Sequence, residues 1–311
     1  MGVLSAVPET DADMVEMKVF KETGMVISVA SGKGGTGKTT IATSLACSIE
    51  GDVALLDCDV EEPNAHLFIH PHIHTVETIR TPVPEVDMSK CTLCGKCSEI
   101  CRFNAIVVLG ETVLPFPELC HSCGGCMLVC PENAITEKGR ELGVIERGTR
   151  NGLEFIHGKL RIGEAMAPPL IRKVREFTRP GILTIIDAPP GTSCPVIAAM
   201  RGADFVLLVT EPTPFGLHDL KLAIGAVNVL GIPCGLVINR SDIGDGRVRA
   251  YAEAEGVPIL MEIPFDRKIA EAYSRGEMLV EGNGEWPSRF RELYGRIEMI
   301  VQESQKKRNA Q

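Results

Sequence analysis

Two groups of residues combine types and spacings suited to chemistry. The first is the run Gly32-Lys33-Gly34-Gly35-Thr36-Gly37-Lys38-Thr39-Thr40, which follows a short apolar stretch and precedes the helix-like Ile41-Ala42-Thr43-Ser44-Leu45. It matches G-x-x-x-x-G-K-[ST] in a strand, loop and helix context. Glycines there let backbone N–H groups close around phosphate oxygens, and the helix N-terminus adds partial positive charge. Lys38 would meet the outer phosphates of a nucleotide and Thr39 would ligate Mg²⁺. Two further apolar stretches end in carboxylates, at Asp57-Cys58-Asp59 and at Asp187-Ala188-Pro189-Pro190-Gly191. At strand tips these would face the same nucleotide, one for the metal shell and one to orient an attacking water.

The second group is cysteine. Of the 12 cysteines, eight fall between Cys91 and Cys130. The spacing of Cys91, Cys94, Cys97 and Cys101 recurs 29 residues later as Cys120, Cys123, Cys126 and Cys130, and Asn104-Ala105-Ile106 recurs as Asn133-Ala134-Ile135. A compact loop with cysteines three apart wraps three corners of a cubane, while the following turn carries the fourth to a second cluster. Cys91, Cys94 and Cys97 are therefore paired with Cys130, and Cys120, Cys123 and Cys126 with Cys101. Structural zinc would use two pairs with a longer separation, and disulfides are disfavoured in a reducing compartment. The segment resembles a bacterial ferredoxin module with two [4Fe–4S] clusters. Its first half carries Arg102 where Pro131 stands in the second, a position that shapes the turn and is not a ligand.

These groups need elements to hold them. Val26 to Ala30, Val53 to Leu56, Ile182 to Ile186, Phe205 to Val209, Gly235 to Ile238 and Ile259 to Ile263 read as buried strands. Thr39 to Glu50, Pro168 to Thr178, Leu217 to Leu230 and Arg247 to Glu255 read as helices between them. Strands apolar on both faces alternating with helices predict an α/β fold, a doubly wound and mostly parallel sheet. The alternation breaks in the cysteine-rich stretch, which reads as a small inserted α+β domain. The expected organisation is an N-terminal extension over 1–24, partly flexible, a nucleotide-binding domain over 25–86 and 139–311, and the insert over 87–138.

The additional lysine, Lys33, makes the run from Ser31 to Thr39 resemble the deviant Walker A sequence of the MinD, ParA, Mrp and nitrogenase iron protein group. The resemblance covers most of the chain outside the insert. It implies a P-loop ATPase in which the additional lysine reaches the nucleotide of a partner subunit, so that two similar or identical chains sandwich two ATP molecules. It further implies that Asp59 is the switch I aspartate positioning water and that Asp57 supports the Mg²⁺ site. Asp187 and Gly191 would be Walker B and switch II, Asn239 the asparagine that reads adenine, and Pro264 a residue lining the base. Mrp-type cluster carriers use a CxxC pair in the C-terminal half, where this chain has only the single Cys194 and Cys234.

Composition narrows the partners. The 311 residues carry a formal charge of −9, which argues against a phosphate backbone as the main partner, and no apolar run reaches 18 residues. A cytoplasmic location is expected, without stable membrane association and without nucleic acid. Cys47 and Cys234 read as buried small hydrophobes and Cys58 as pointing into the sheet, whereas Cys194, in the expected switch II loop, stays open between a helix-start residue and a metal or redox role. His66, His70, His72 and His74 lie close in sequence, although Pro71 interrupts them. Phe290, Leu293, Tyr294, Ile297, Ile300 and Val301 form a helical stripe expected to dock on the sheet. The leading functional expectation is an ATPase whose dimer cycle is coupled to ferredoxin clusters for electron delivery or metallocofactor assembly. Its partners would be a second identical or paralogous ATPase chain and a redox or cofactor-binding client. A spatial organiser like MinD or ParA, with structural or redox-sensing clusters, is the alternative.

Overall fold

Short apolar runs form the middle of one sheet. The computed structural model describes residues 24–281 and 284–309, so the expected extension lies, apart from Gly24, outside the described residues. The strands are β1 (Val26–Ala30), β2 (Val53–Asp57), β3 (His72–Val86), β4 (Ile106–Leu109), β5 (Thr112–Pro115), β6 (Ile135–Arg150), β7 (Leu153–Leu160), β8 (Leu183–Asp187), β9 (Phe205–Thr210), β10 (Cys234–Asn239) and β11 (Ile259–Ile263). Nine of them join in the order β11-β10-β9-β1-β8-β2-β7-β6-β3. From β11 to β7 every pairing is parallel; β6 then runs antiparallel to both β7 and β3.

The helices are α1 (Lys38–Ser48), α2 (His66–Ile69), α3 (Lys96–Ile100), α4 (Gly125–Leu128), α5 (Pro168–Arg175), α6 (Cys194–Met200), α7 (Pro214–Leu230), α8 (Arg247–Ala254), α9 (Arg267–Ser274) and α10 (Trp286–Asn309). Successive side chains of a strand point to opposite faces, so the central strands bury both. Ile27, Leu55, Ile185, Leu207 and Val237 pack with α1 and α10, whereas Leu56, Ile186, Val206, Leu208 and Ile238 pack with α5, α6, α7 and α8. The expected C-terminal stripe docks: Phe290, Leu293, Ile297 and Val301 are buried in the first of these layers.

Three strands differ from expectation. β3, β6 and β7 carry His, Glu, Lys and Arg among their apolar residues, which hides them from a search for apolar runs. The sequence nonetheless carries one signal, Asn151-Gly152, both at positive φ (48° and 87°), which closes the β6–β7 hairpin between Arg150 and Leu153. β3 is an edge strand, and Pro82 and Pro84, two residues apart, direct their missing N–H groups to one side, as an open edge tolerates.

The ladder of β3 and β6 outlasts the sheet. β6 pairs with β7 only from Gly143 to Arg150, and the remainder, from Ile135 to Leu142, projects with β3 as a two-stranded ribbon. The cysteine-rich segment closes its end. There β4 and β5 pair from Ile106↔Pro115 to Leu109↔Thr112, and the ribbon tip pairs from Ile135↔Val86 to Lys138↔Val83. All four positions are offset by the same 29 residues as the cysteines. The ribbon tip is thus the second copy of the β4–β5 hairpin. The expected boundary at 86/87 coincides with the end of β3, but that at 138/139 falls inside β6.

Phe290 is fully buried and Met299, on the same helix, is 56% exposed. Phe290→Ala should cost about 3–5 kcal/mol in urea unfolding and Met299→Ala about 0.5 kcal/mol or less. Equal small losses would show that α10 is not docked.

Candidate functional site

The phosphate loop lies between β1 and α1. Gly37 precedes α1 with φ 97°, no side chain caps the helix, and its first turn holds no acid, so the terminal N–H groups are left for an anion. Two glycines are fixed by space. A Cβ on Gly32 would lie 2.2 Å from the Asp219 carbonyl oxygen, and one on Gly37 would lie 2.6 Å from Asn239 Nδ2. A cleft of ≈ 1340 Å³, counted out to its mouth, opens over the loop. Gly34, Gly35, Gly37, Lys38, Thr39, Thr40, Asp59, Asn239 and Pro264 line it, all anticipated from sequence. Glu62, Asn64, Arg240, Phe265, Asp266 and Tyr273 also line it and are not legible in the sequence, because the folding of loops and of α9 over the strand tips, rather than a local pattern, brings them there.

Sheet register brings the carboxylates together. Asp57 is opposite Asp187 in the β2–β8 pairing, and Val29 is opposite Asp187 in β1–β8. Asp187 is buried and neither carboxylate oxygen has a hydrogen-bond partner. Burial pushes it up to about 6 against the pull of Lys38; the Thr39 hydroxyl also lowers it, although no hydrogen bond is completed. Asp59 is likewise raised to about 6, by burial first and by the charge of Asp187 second, with Lys38 opposing. Asp57 is different. Its Oδ1 accepts from Asp59 N at 3.1 Å, and its Oδ2 from Asn64 N and Ala65 N at 3.1 and 3.0 Å. Burial and Asp187 still raise it well above the ordinary carboxylate range. Asp57 therefore shapes the loop carrying Asp59, while Asp187, with two orphaned oxygens beside Thr39, fits a hard divalent cation.

Lys33 does not line the cleft. Its Nζ lies 3.4 Å from Glu211 Oε2, and Arg240 Nη1 lies 2.8 Å from Glu211 Oε1, so the lysine rests on a carboxylate of its own chain. Thr36 is buried within the loop, and Gly191 N donates to Ser31 O at 3.0 Å, drawing the segment after β8 against the loop. Asn239 Nδ2 donates to Thr36 O at 2.8 Å while its Oδ1 accepts from Arg240 N at 3.0 Å. The asparagine expected to read a base braces the phosphate loop in this structure.

Other expectations sort by position. Cys58 is buried, Cys234 half-buried, and Cys194 is exposed at the first residue of α6. Cys47 is exposed, which corrects its reading as a buried hydrophobe: it sits on the outer side of α1, between the buried Ala46 and Ser48. The four histidines diverge. His66 opens α2 and turns toward His157, His70 ends that helix at positive φ, and His72 and His74 are exposed on β3.

The eight clustered cysteines surround two cavities. Cys91, Cys94, Cys97 and Cys130 line one, and Cys101, Cys120, Cys123 and Cys126 line the other. The two halves share backbone conformation at unusual positions: Leu93 and Ser122 have φ 57° and 55°, and Asn104 and Asn133 have φ 51° and 49°. Backbone donors point at sulfur, with Ala105 N and Ala134 N each 3.2 Å from Cys101 Sγ and Cys130 Sγ, and Ser122 N 3.4 Å from Cys120 Sγ. Such N–H groups stabilise thiolates. Among the described residues no three His, Cys, Asp or Glu side chains are grouped to hold a single metal ion.

The family described as CobQ/CobB/MinD/ParA nucleotide binding domain matches residues 27–280. The uncharacterized protein MJ0579 of Methanocaldococcus jannaschii is 33% identical over 265 residues, covering 83% of this chain and 93% of its own. An iron-sulfur cluster carrier protein of Aquifex aeolicus is 26% identical over 278 residues, 82% of this chain and 61% of its own. The septum site-determining protein MinD of Pyrococcus horikoshii, solved with Mg-ADP, has the same fold, with a TM-score of 0.53 at 18% identity over 87% of this chain and 94% of its own. Among the described residues no helix is long and apolar enough to cross a membrane.

Asn239→Ala removes both contacts of the carboxamide. Calorimetric titration should show ADP binding weakened about 5- to 15-fold, the worth of one net hydrogen bond or somewhat more. Unchanged affinity would mean that the loop holds its shape without this brace.

Proposed function

The chain belongs to the CobQ/CobB/MinD/ParA nucleotide-binding family, and on that premise we propose that it is an ATP-hydrolysing iron–sulfur protein. Its nucleotide-driven dimer cycle serves electron transfer or the assembly of a metal cofactor. The observation that carries this reading is the pair of four-cysteine cavities in the same molecule as a P-loop cleft. A cubane spreads its irons over four corners, so its thiolates stand around a cavity rather than converge on one ion. The matched φ values, the N–H groups aimed at sulfur and the duplicated hairpin support two such groups, held by Cys91, Cys94, Cys97 and Cys130 and by Cys101, Cys120, Cys123 and Cys126. When bound, they would supply one-electron chemistry. The cluster carrier name of one relative agrees with handling iron and sulfur.

At the nucleotide, the amides of Gly34 to Thr39 and the Lys38 ammonium would bind the β- and γ-phosphates. Thr39 and Asp187 would hold Mg²⁺, with Asp57 behind them fixing the loop. Mg²⁺ there would neutralise charge on the phosphate oxygens. Asp59 would accept a hydrogen bond from water attacking the γ-phosphorus in line, as the bond to the bridging oxygen breaks to give ADP and phosphate. Lys33 would leave Glu211 to meet the nucleotide of a second chain, identical or paralogous, and Asn239 and Pro264 would flank the base. The client would be a redox partner or a cofactor-binding protein, in a reducing cytoplasm that keeps the cysteines available.

Anaerobic reconstitution should load about eight irons per chain. Cys94→Ser and Cys123→Ser should each remove about half. Lys38→Ala should abolish nucleotide binding while iron content stays unchanged. Zinc in place of iron, or iron content in both serine variants unchanged from the wild type, would overturn the cluster assignment.

A further inference from the structure

The loop that carries Asp59 is fastened to the ribbon that carries the cysteines. After Asp59 the chain enters α2 and, two residues beyond it, β3. Asp57 grips the start of this path through Asn64 N and Ala65 N. The end of α2 is gripped from β6: Arg150 Nη1 donates to Phe68 O at 3.0 Å and to Ile69 O at 2.9 Å, while its Nη2 lies 2.7 Å from Glu281 Oε1.

A second fastening joins the start of α2 to the same strand. His66 faces His157 on β7 with ring centroids 5.2 Å apart, and His157 Nε2 lies 2.8 Å from Glu146 Oε2 on β6. Lys159 Nζ donates to the same oxygen at 2.9 Å. His157 is almost fully buried and stands in register with both Asp57 on β2 and Glu146 on β6, so it spans the width between the nucleotide strand and the ribbon.

Beyond these contacts the β3–β6 ladder runs on to the cysteine segment, with register shifts at Ile73/Thr75 and Ile79/Arg80. Where β6 leaves β7 the ladder skips Leu142, whose carbonyl accepts from Arg161 N at 2.9 Å, and Glu164 pairs with Arg140 just outside the sheet. At the tip, Thr81 Oγ1 and Ser122 Oγ lie 2.7 Å apart, tying β3 to the second cysteine loop, and the last ladder pairs are themselves half of the duplicated hairpin. A bulge bends and twists a ladder without freeing its ends.

We infer that Arg150, His157 and Glu146 are positioning residues that bind α2 to β6, so that a nucleotide-dependent shift of the Asp59 loop reaches the cysteine segment as a displacement of the whole ribbon. The inference rests on the nucleotide cycle proposed above and adds its route. Packed elements of this kind transmit small shifts because they slide as units rather than deform.

Hydrogen–deuterium exchange on the reconstituted full chain, with Mg-ADP against Mg and a non-hydrolysable ATP analogue, tests it. The wild type should show uptake differences in residues 58–69 and also in 72–86 and 135–150. In Arg150→Ala and in Glu146→Gln the difference in 58–69 should persist, and that in the ribbon should fall by more than about half. His157→Gln, which retains a donor toward Glu146, should keep more of the ribbon response than His157→Leu. A wild-type response confined to 58–69, or an undiminished ribbon response in both Arg150→Ala and Glu146→Gln, would overturn the inference and leave the nucleotide reading standing. No response anywhere, with no nucleotide bound, would sink both.

Discussion

The antiparallel ladder between β3 and β6 is the constraint on which the rest of the molecule depends. One end is stitched to β7 and so to the parallel sheet whose tips hold the phosphate loop; the other end is half of a duplicated hairpin between cysteine loops. Side chains alternate along it, so a slip of one residue would turn Ile79, Leu142 and Ile145 out of the layer they share with α5. That burial fixes the register, and the register fixes where the cysteines stand relative to the nucleotide cleft. The cysteine segment is therefore continuous with the sheet by hydrogen bonds as well as by chain.

At the other end of this framework lies electrostatic tension. Register places Asp57 and Asp187 side by side in the interior, and burial raises both. An interior carboxylate without partners is costly, and such a site is relieved by a cation or a proton. Asp57 is partly relieved by three backbone amides, which ties its charge to the shape of the Asp59 loop. Asp187 has only the influence of Lys38 and Thr39. In the proposed cycle, what occupies the space above Asp187 would therefore bear on the conformation of that loop. Lys33 rests on Glu211, and that carboxylate has Arg240 as a second partner.

Much of this was legible in the sequence. The strand, loop and helix around Lys38 and the carboxylates closing two apolar runs follow from local pattern, and spacing alone paired the eight cysteines as the two cavities group them. The apolar runs that end at Asp57-Cys58-Asp59 and at Asp187 mark these carboxylates as strand-tip residues. The buttressing by Asn239, the retention of Lys33 by Glu211 and the fastening of α2 were not legible. Each joins residues distant in the chain, such as Thr36 with Asn239 or Phe68 with Arg150, and no periodicity announces them. The ribbon is hidden in the sequence for another reason. Its outward residues are charged and its edge carries prolines, so it reads as broken sequence, although Asn151-Gly152 marks the turn beyond it.

The proposed cycle requires the nucleotide and cysteine sites to act as one body. Its most direct test is a redox titration of the anaerobically reconstituted chain, followed by electron paramagnetic resonance with Mg-ADP and with Mg and a non-hydrolysable ATP analogue. Signals of two reduced [4Fe–4S] clusters should appear, with a midpoint potential or line shape that changes with the nucleotide. Identical spectra and potentials in both states, or no cluster signal, would contradict it.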